Sequence, residues 1–130
     1  MSGVEEMQGL TMAKVEVCAR IRPVGPLGRT RWEGADEIRF ETTNGRVFRL
    51  YHSQGCCESV DIEDITGDVE DLIGLPLLMA EEATSPGDAG ESSTWTFYKF
   101  ATAKGYVTIR WLGQSNGYYS EGVDFEELYS

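Results

Sequence analysis

The sequence predicts an α+β protein that is mostly β, a single antiparallel sheet of about six strands with one or two short helices. Three observations carry this reading. Apolar residues recur at every second position in several short runs. Asn44-Gly45 stands between two such runs, as in a hairpin turn. Two long runs rich in aromatic and β-branched residues, 94–102 and 106–112, face each other across Lys104-Gly105, which suits central strands. At 130 residues, 41% hydrophobic and 11% aromatic, the chain is expected to form one folded domain over 1–130.

The elements follow in order. Residues 4–10 suit one short helical turn. Residues 12–22 alternate like a strand, with Val15, Val17 and Ala19 on one side and Lys14, Glu16, Cys18 and Arg20 on the other. Residues 22–34, with two prolines, several glycines and flanking arginines, read as an exposed loop. The hairpin 37–42/46–51 sets Ile38, Phe40, Phe48 and Leu50 on one face and Arg39 and Arg49 on the other. Residues 59–65 alternate apolar and acidic side chains like a half-buried strand. A helical turn from Asp68 to Ile73 carries acids at its N-terminal end, where the helix dipole favours them. Residues 75–82 read as another strand, and 83–93, with Pro86, Gly87 and Gly90, as a mobile polar loop. After the aromatic hairpin come a turn-rich loop at 113–117 and a tail that mixes aromatics with acids.

Charge excludes several function classes. The chain has 22 acidic and 11 basic side chains, a formal net charge of −11. That balance argues against direct nucleic-acid binding and against a membrane surface, since both need a surplus of Lys and Arg. The longest apolar run, 72–80, is broken by Gly74 and Pro76, so no transmembrane segment is expected. Glu5 and Glu6 stand where an export signal would be basic and then apolar, so the expected location is the cytoplasm. The acids are concentrated: residues 1–52 hold eight basic and seven acidic side chains, residues 53–130 three and fifteen. A solubilising surface is the plainer reading of this split, and mimicry of a polyanion the sharper one.

Two constellations could carry chemistry. The run His52-Ser53-Gln54-Gly55-Cys56-Cys57-Glu58 holds the chain's single His and two of its three Cys. A thiolate needs a nearby base or cation, so His52 with Cys56 or Cys57 suggests a nucleophile or a metal site. Adjacent cysteines seldom ligate one tetrahedral ion, however, and a structural connection with small buried thiols explains the run as well. Reduced thiols are expected from the odd count, and no metal or cofactor is expected. The second constellation is Trp95, Tyr98, Arg110, Trp111, Tyr118 and Tyr119. Aromatic faces beside a guanidinium suit a flat heterocycle bearing phosphate. Alternation places Trp111 with Val107 and Ile109, facing the core, and Arg110 on the opposite face, where Glu121 or Asp124 could pair with it. Adjacent carboxylates such as Glu63/Asp64 and Glu81/Glu82 should point to opposite faces of a strand. No phosphate-cradling Gly-rich loop and no Gly-x-Ser-x-Gly elbow is present, so a non-enzymatic role is expected.

Residues 51–60 (Tyr-His-Ser-Gln-Gly-Cys-Cys-Glu-Ser-Val), 64–68, 71–74, 94–99, 108–111 and 116–125 (ending Asn-Gly-Tyr-Tyr-Ser-Glu-Gly-Val-Asp-Phe) together resemble a family of small acidic proteins encoded by tailed phages and prophages. The resemblance covers roughly residues 36 to 128. Gly55 stands where an acid is expected, and the arginine-rich segment 20–31 is longer than the family's N-terminal hairpin. A phage setting implies a counter-defence factor. The first form is a sponge that sequesters a nucleotide immune messenger, with His52, Gln54, Cys57, Glu58, Trp95, Tyr98, Arg110, Tyr118, Tyr119 and Glu121 as ligand-binding residues. The alternatives are an acidic nucleic-acid mimic that blocks a host defence protein, and a small hydrolase using His52 and Cys56 or Cys57. A homo-oligomer would suit a shared pocket.

Overall fold

In the computed structural model, residues 3–18, 36–52, 58–87, 92–117 and 120–128 are described. The protein is mostly β, but it has two antiparallel four-stranded sheets rather than one six-stranded sheet. The strands are β1 (Met12–Cys18), β2 (Glu37–Thr42), β3 (Val47–Tyr51), β4 (Ser59–Thr66), β5 (Met79–Pro86), β6 (Ser92–Thr102), β7 (Gly105–Ser115) and β8 (Asp124–Leu128). The first sheet has the order β1-β2-β3-β8 and the second β4-β7-β6-β5. The helical content among the described residues is two 3-10 turns, Val4–Met7 and Val69–Leu72. Asp68 caps the second by accepting a hydrogen bond from the Glu70 N–H at 3.0 Å.

The inward side chains of both sheets form one core. Ile38, Phe40, Phe48 and Leu50 from the first sheet meet Ile62, Phe100, Val107, Ile109 and Trp111 from the second, all essentially without exposure. Phe40 and Phe100 join the sheets at 5.1 Å between ring centroids, and Phe48 stacks on Phe125 at 5.5 Å. Burying one such phenylalanine contributes about 1.5–3 kcal/mol, so period-2 alternation dictates which face of each strand turns inward. The expected sides of β2, β3 and β7 are those found. β1 alternates as expected as far as Cys18, and positions 19–35, which include the expected loop at 22–34, lie outside the described residues.

The β2–β3 hairpin closes through three residues. Thr42 N–H donates to Arg46 O at 2.8 Å and Gly45 N–H to Thr42 O at 3.1 Å. Only Gly45 takes a positive φ, of +90°, while Asn44 stays at negative φ. This is a turn followed by one left-handed glycine, the usual three-residue solution.

Several segments differ from expectation: the strand expected over 75–82 begins only at Met79, and Ser92 and Ser93, expected in the loop, open β6. Residues 83–86, read as loop, complete β5, because Ala83, Thr84, Ser85 and Pro86 lie opposite Phe97, Thr96, Trp95 and Thr94 of β6. β5 is an edge strand, so its side chains need not alternate, and a terminal proline forfeits no ladder hydrogen bond. Residues 113–115 continue β7, with Gly113 opposite both Val60 and Thr94. The acidic tail supplies β8, whose Phe125 pairs with Leu50 and whose Glu126 pairs with Arg49.

The registers place four connections at one end of the molecule. Cys18 lies opposite Glu37, Tyr51 opposite Asp124, Ser59 opposite Gln114 and Ser92 opposite Ser115. The links β1–β2, β3–β4, β5–β6 and β7–β8 therefore all leave from this end. Both passages between the sheets, β3 to β4 and β7 to β8, run here side by side.

Candidate functional site

Two groups of side chains stand out, one at this crossover end and one on the outer face of the second sheet. At the crossover end, His52 follows β3 and Glu58 precedes β4. The Glu58 Oε2 lies 2.8 Å from His52 Nε2, and their side chains are 1% and 3% exposed. His52 Nδ1 lies 2.8 Å from the Gly122 carbonyl, which only accepts, so Nδ1 carries a proton and donates. The imidazole thereby ties one sheet-to-sheet passage to the other. With both ring nitrogens occupied and no exposed face, His52 is placed as a structural tie. Asp36 performs a similar service by accepting from the Ile62 N–H at 2.8 Å.

Next to this tie, Glu121 accepts hydrogen bonds from Ser115 Oγ at 2.5 Å and Thr94 Oγ1 at 2.7 Å. These bonds, the Ser115 bond foremost, hold its carboxyl below the usual range. Its backbone lies directly over Gly113, where a Cβ would come within 2.2 Å of the Glu121 carbonyl oxygen. Glu121 is thus committed to Thr94 and Ser115 rather than to Arg110.

Arg110 instead points outward. Its guanidinium lies 5.1 Å from the Trp95 ring centroid, and its Nη2 lies 3.7 Å from Glu63 Oε1. The Nε is buried with no hydrogen-bond partner. A register shift between Ile62 and Asp64 makes Glu63 an extra residue in β4 and sets Asp64 opposite Arg110. The expected opposite facing of Glu63 and Asp64 does not hold across this bulge. Both carboxylates are exposed on the Arg110 side.

The outer face of the second sheet reads as four rows across the strands. At the end away from the crossovers are Met79, Ala101 and Tyr106; then come Glu81, Lys99, Thr108 and Thr66. The third row is Ala83, Phe97, Arg110 and Asp64, and the fourth Ser85, Trp95, Leu112 and Asp61. None of these residues is buried, and Tyr106 is 67% exposed. The outer face of the first sheet is different in kind. There Arg39 meets Glu37 at 2.5 Å, Arg49 meets Glu126 at 2.9 Å, and the Arg49 guanidinium covers the Tyr51 ring at 3.8 Å. One outer face is a mesh of charge pairs; the other carries aromatic and aliphatic side chains between acids.

The expected ligand-binding residues are therefore dispersed. His52 and Glu58 come together in the interior. Trp95 and Arg110 come together outside, and Glu121 lies between, bonded to two hydroxyls. Tyr98 belongs to the core with no exposure; burial, then Glu82, raises its phenol well above the ordinary value. Its hydroxyl interacts with the Glu82 carboxylate without reaching hydrogen-bond geometry. Gln54, Cys56, Cys57, Tyr118 and Tyr119 lie outside the described residues. Phe97 and Leu112 were missed as candidates. Their alternation with the core residues of β6 and β7 was the available signal, because outward apolar side chains on a central strand have no core to explain them. Among the described residues no group of three or more His, Cys, Asp or Glu could hold a metal ion, and no helix is long and apolar enough to cross a membrane.

Fold and site together define a small antiparallel β protein of two four-stranded sheets, whose exposed chemistry lies on a strand face. The chain belongs to the DUF7448 family, described as a domain of unknown function, whose model matches residues 5–125. No curated protein and no solved structure matches it.

Proposed function

We propose that this chain is a non-enzymatic binding protein that acts by stoichiometric capture, with the outer face of the second sheet as its binding surface. The observation that carries this reading is the contrast between the two outer faces. Charge pairs close one, while Trp95, Phe97, Leu112 and Tyr106 stand partly or largely exposed on the other. Contiguous exposed apolar residues rimmed by polar ones mark interaction surfaces in soluble proteins. The resemblance to small tailed-phage proteins supports a counter-defence setting, in which the captured component belongs to the host cell. A second reading, a sponge for a nucleotide messenger, is favoured by Arg110 lying over Trp95, since a base would stack on the indole and a phosphate pair with the guanidinium.

Copurification from a bacterial host tests both. The wild-type protein should retain a host protein or a heat-releasable intact nucleotide in stoichiometric amount, and Trp95→Ser with Phe97→Ser should lose it. Recovery of a cleaved nucleotide would establish an enzyme and overturn the reading. Equal retention by the double variant would move the binding surface elsewhere.

A further inference from the structure

We infer that the outer face of the second sheet docks a basic protein surface, one that presents Lys or Arg side chains around an apolar centre. The inference rests on the binding role above and names the chemistry of the partner. Apolar side chains occupy the middle strands, Phe97 and Trp95 on β6 and Leu112 on β7. Acids occupy the edges: Asp61, Glu63 and Asp64 on β4, and Glu81 on β5. Both cations of the face stand among its acids. Arg110 has Glu63 at 3.7 Å and Asp64 across the strand pair, and Lys99 lies opposite Glu81. Four carboxylates against two cations leave the rim negative.

This arrangement selects among occupants. An anionic ligand approaching Arg110 meets the like charge of Glu63, 3.7 Å from the guanidinium, and of Asp64, opposite it across the strand pair. A second copy of the chain brings another −11 and the same acidic rim, so like charges would be juxtaposed. A basic surface meets the rim with the opposite sign and covers the apolar centre. Four strands about 4.8 Å apart and about eight residues long present a footprint of roughly 400 Å². That is about half of what each partner contributes to a standard interface, so association should be of moderate strength and sensitive to salt.

Fluorescence anisotropy with labelled heptapeptides tests this. The basic probe alternates Lys and Leu, the acidic probe alternates Glu and Leu, and ATP serves as an anionic competitor. Wild-type protein should bind the basic probe and neither the acidic probe nor ATP, and should weaken about tenfold between roughly 50 and 300 mM NaCl. The rim variant Asp61→Asn/Glu63→Gln/Asp64→Asn and the centre variant Trp95→Ser/Phe97→Ser should each lose about tenfold or more. Removing three exposed carboxylates elsewhere (Glu6→Gln/Glu16→Gln/Glu41→Gln) should change binding less than about twofold. Equal loss in that control would reduce the effect to diffuse acidity and overturn the inference. ATP binding that depends on Arg110, without peptide binding, would overturn it while leaving the binding role standing. A dimer in sedimentation that Trp95→Ser dissociates would assign the face to a second copy and overturn it as well.

Discussion

A hydrogen bond joins the buried His52 imidazole to the buried Glu58 carboxyl at 2.8 Å, and removing the carboxyl leaves Nε2 without that partner away from water. Glu58→Ala is therefore expected to lower unfolding free energy by about 1–3 kcal/mol, read as a shift of the urea midpoint at constant slope. An unchanged midpoint would show that His52 finds another partner. Thr96 is the opposite case. Its hydroxyl is 1% exposed at the residue level and has no hydrogen-bond partner, so the near-isosteric Thr96→Val should raise stability by about 1 kcal/mol, seen as a higher melting temperature. Titration pulls both ways. The Ser115 and Thr94 hydroxyls hold the Glu121 carboxyl low, and the Arg46 guanidinium does the same to Glu127. A folded value below the unfolded one contributes stability above the unfolded value and loses it as pH falls through the folded value. Burial raises Glu82, which costs stability once pH exceeds its unfolded value. Glu121→Gln should thus shrink the acid limb of a stability-against-pH curve and lower the neutral plateau, and Glu82→Gln should lift that plateau. His52 and Glu58 were legible as candidates because the run 52–58 is dense in reactive types. Their pairing was not, because a six-residue separation between the ends of two strands carries no geometry of its own.

Strands whose apolar residues alternate were the legible ones, the edge strands β1 and β4 among them. β2, β3, β6 and β7 have alternating apolar residues, because a central strand with one face on the core must bury every second side chain. β5 and β8 are edge strands, and their sequences are dominated by Glu81 and Glu82 in one and Glu126 and Glu127 in the other. Pairing on a single side asks only for compatible backbone, so polarity could pass for a loop or a tail. Arg46 and Arg49 hold β8 through Glu127 at 2.9 Å and Glu126 at 2.9 Å, contacts between residues some 80 positions apart that no local window contains. Gly113 belongs to this scale too. It read as turn chemistry, yet it sits in a strand because the returning tail needs the space of its missing Cβ. Gly113→Ala should destabilise by about 2 kcal/mol or more, since the clash is with Glu121 backbone and not with a flexible tip. Gly45→Ala, opposed only by its positive φ, should cost about 1 kcal/mol. Thermal melts of the two variants check the order.

For the whole molecule, one core shared by both sheets implies one cooperative transition, with far-ultraviolet and near-ultraviolet circular dichroism changing together. Two separate transitions would mean that the sheets unfold independently. The charge imbalance acquires a place at this scale as well. Acids surround an apolar outer face of the second sheet, whereas Arg39, Arg46 and Arg49 are matched by Glu37, Glu127 and Glu126 on the first. Two of these three arginines, Arg46 and Arg49, are met from the acidic tail. By itself the sequence determined the β class, the inward faces of the central strands, both hairpins and the outward direction of Arg110, because each follows from period-2 alternation or from turn residues acting locally. Tertiary structure alone decided the division into two sheets, the recruitment of residues 83–86 and of the acidic tail as edge strands, the His52–Glu58–Gly122 tie and the partner of Arg110. These depend on which distant segments meet, and burial and hydrogen bonding settle that only when the whole chain has closed around one core.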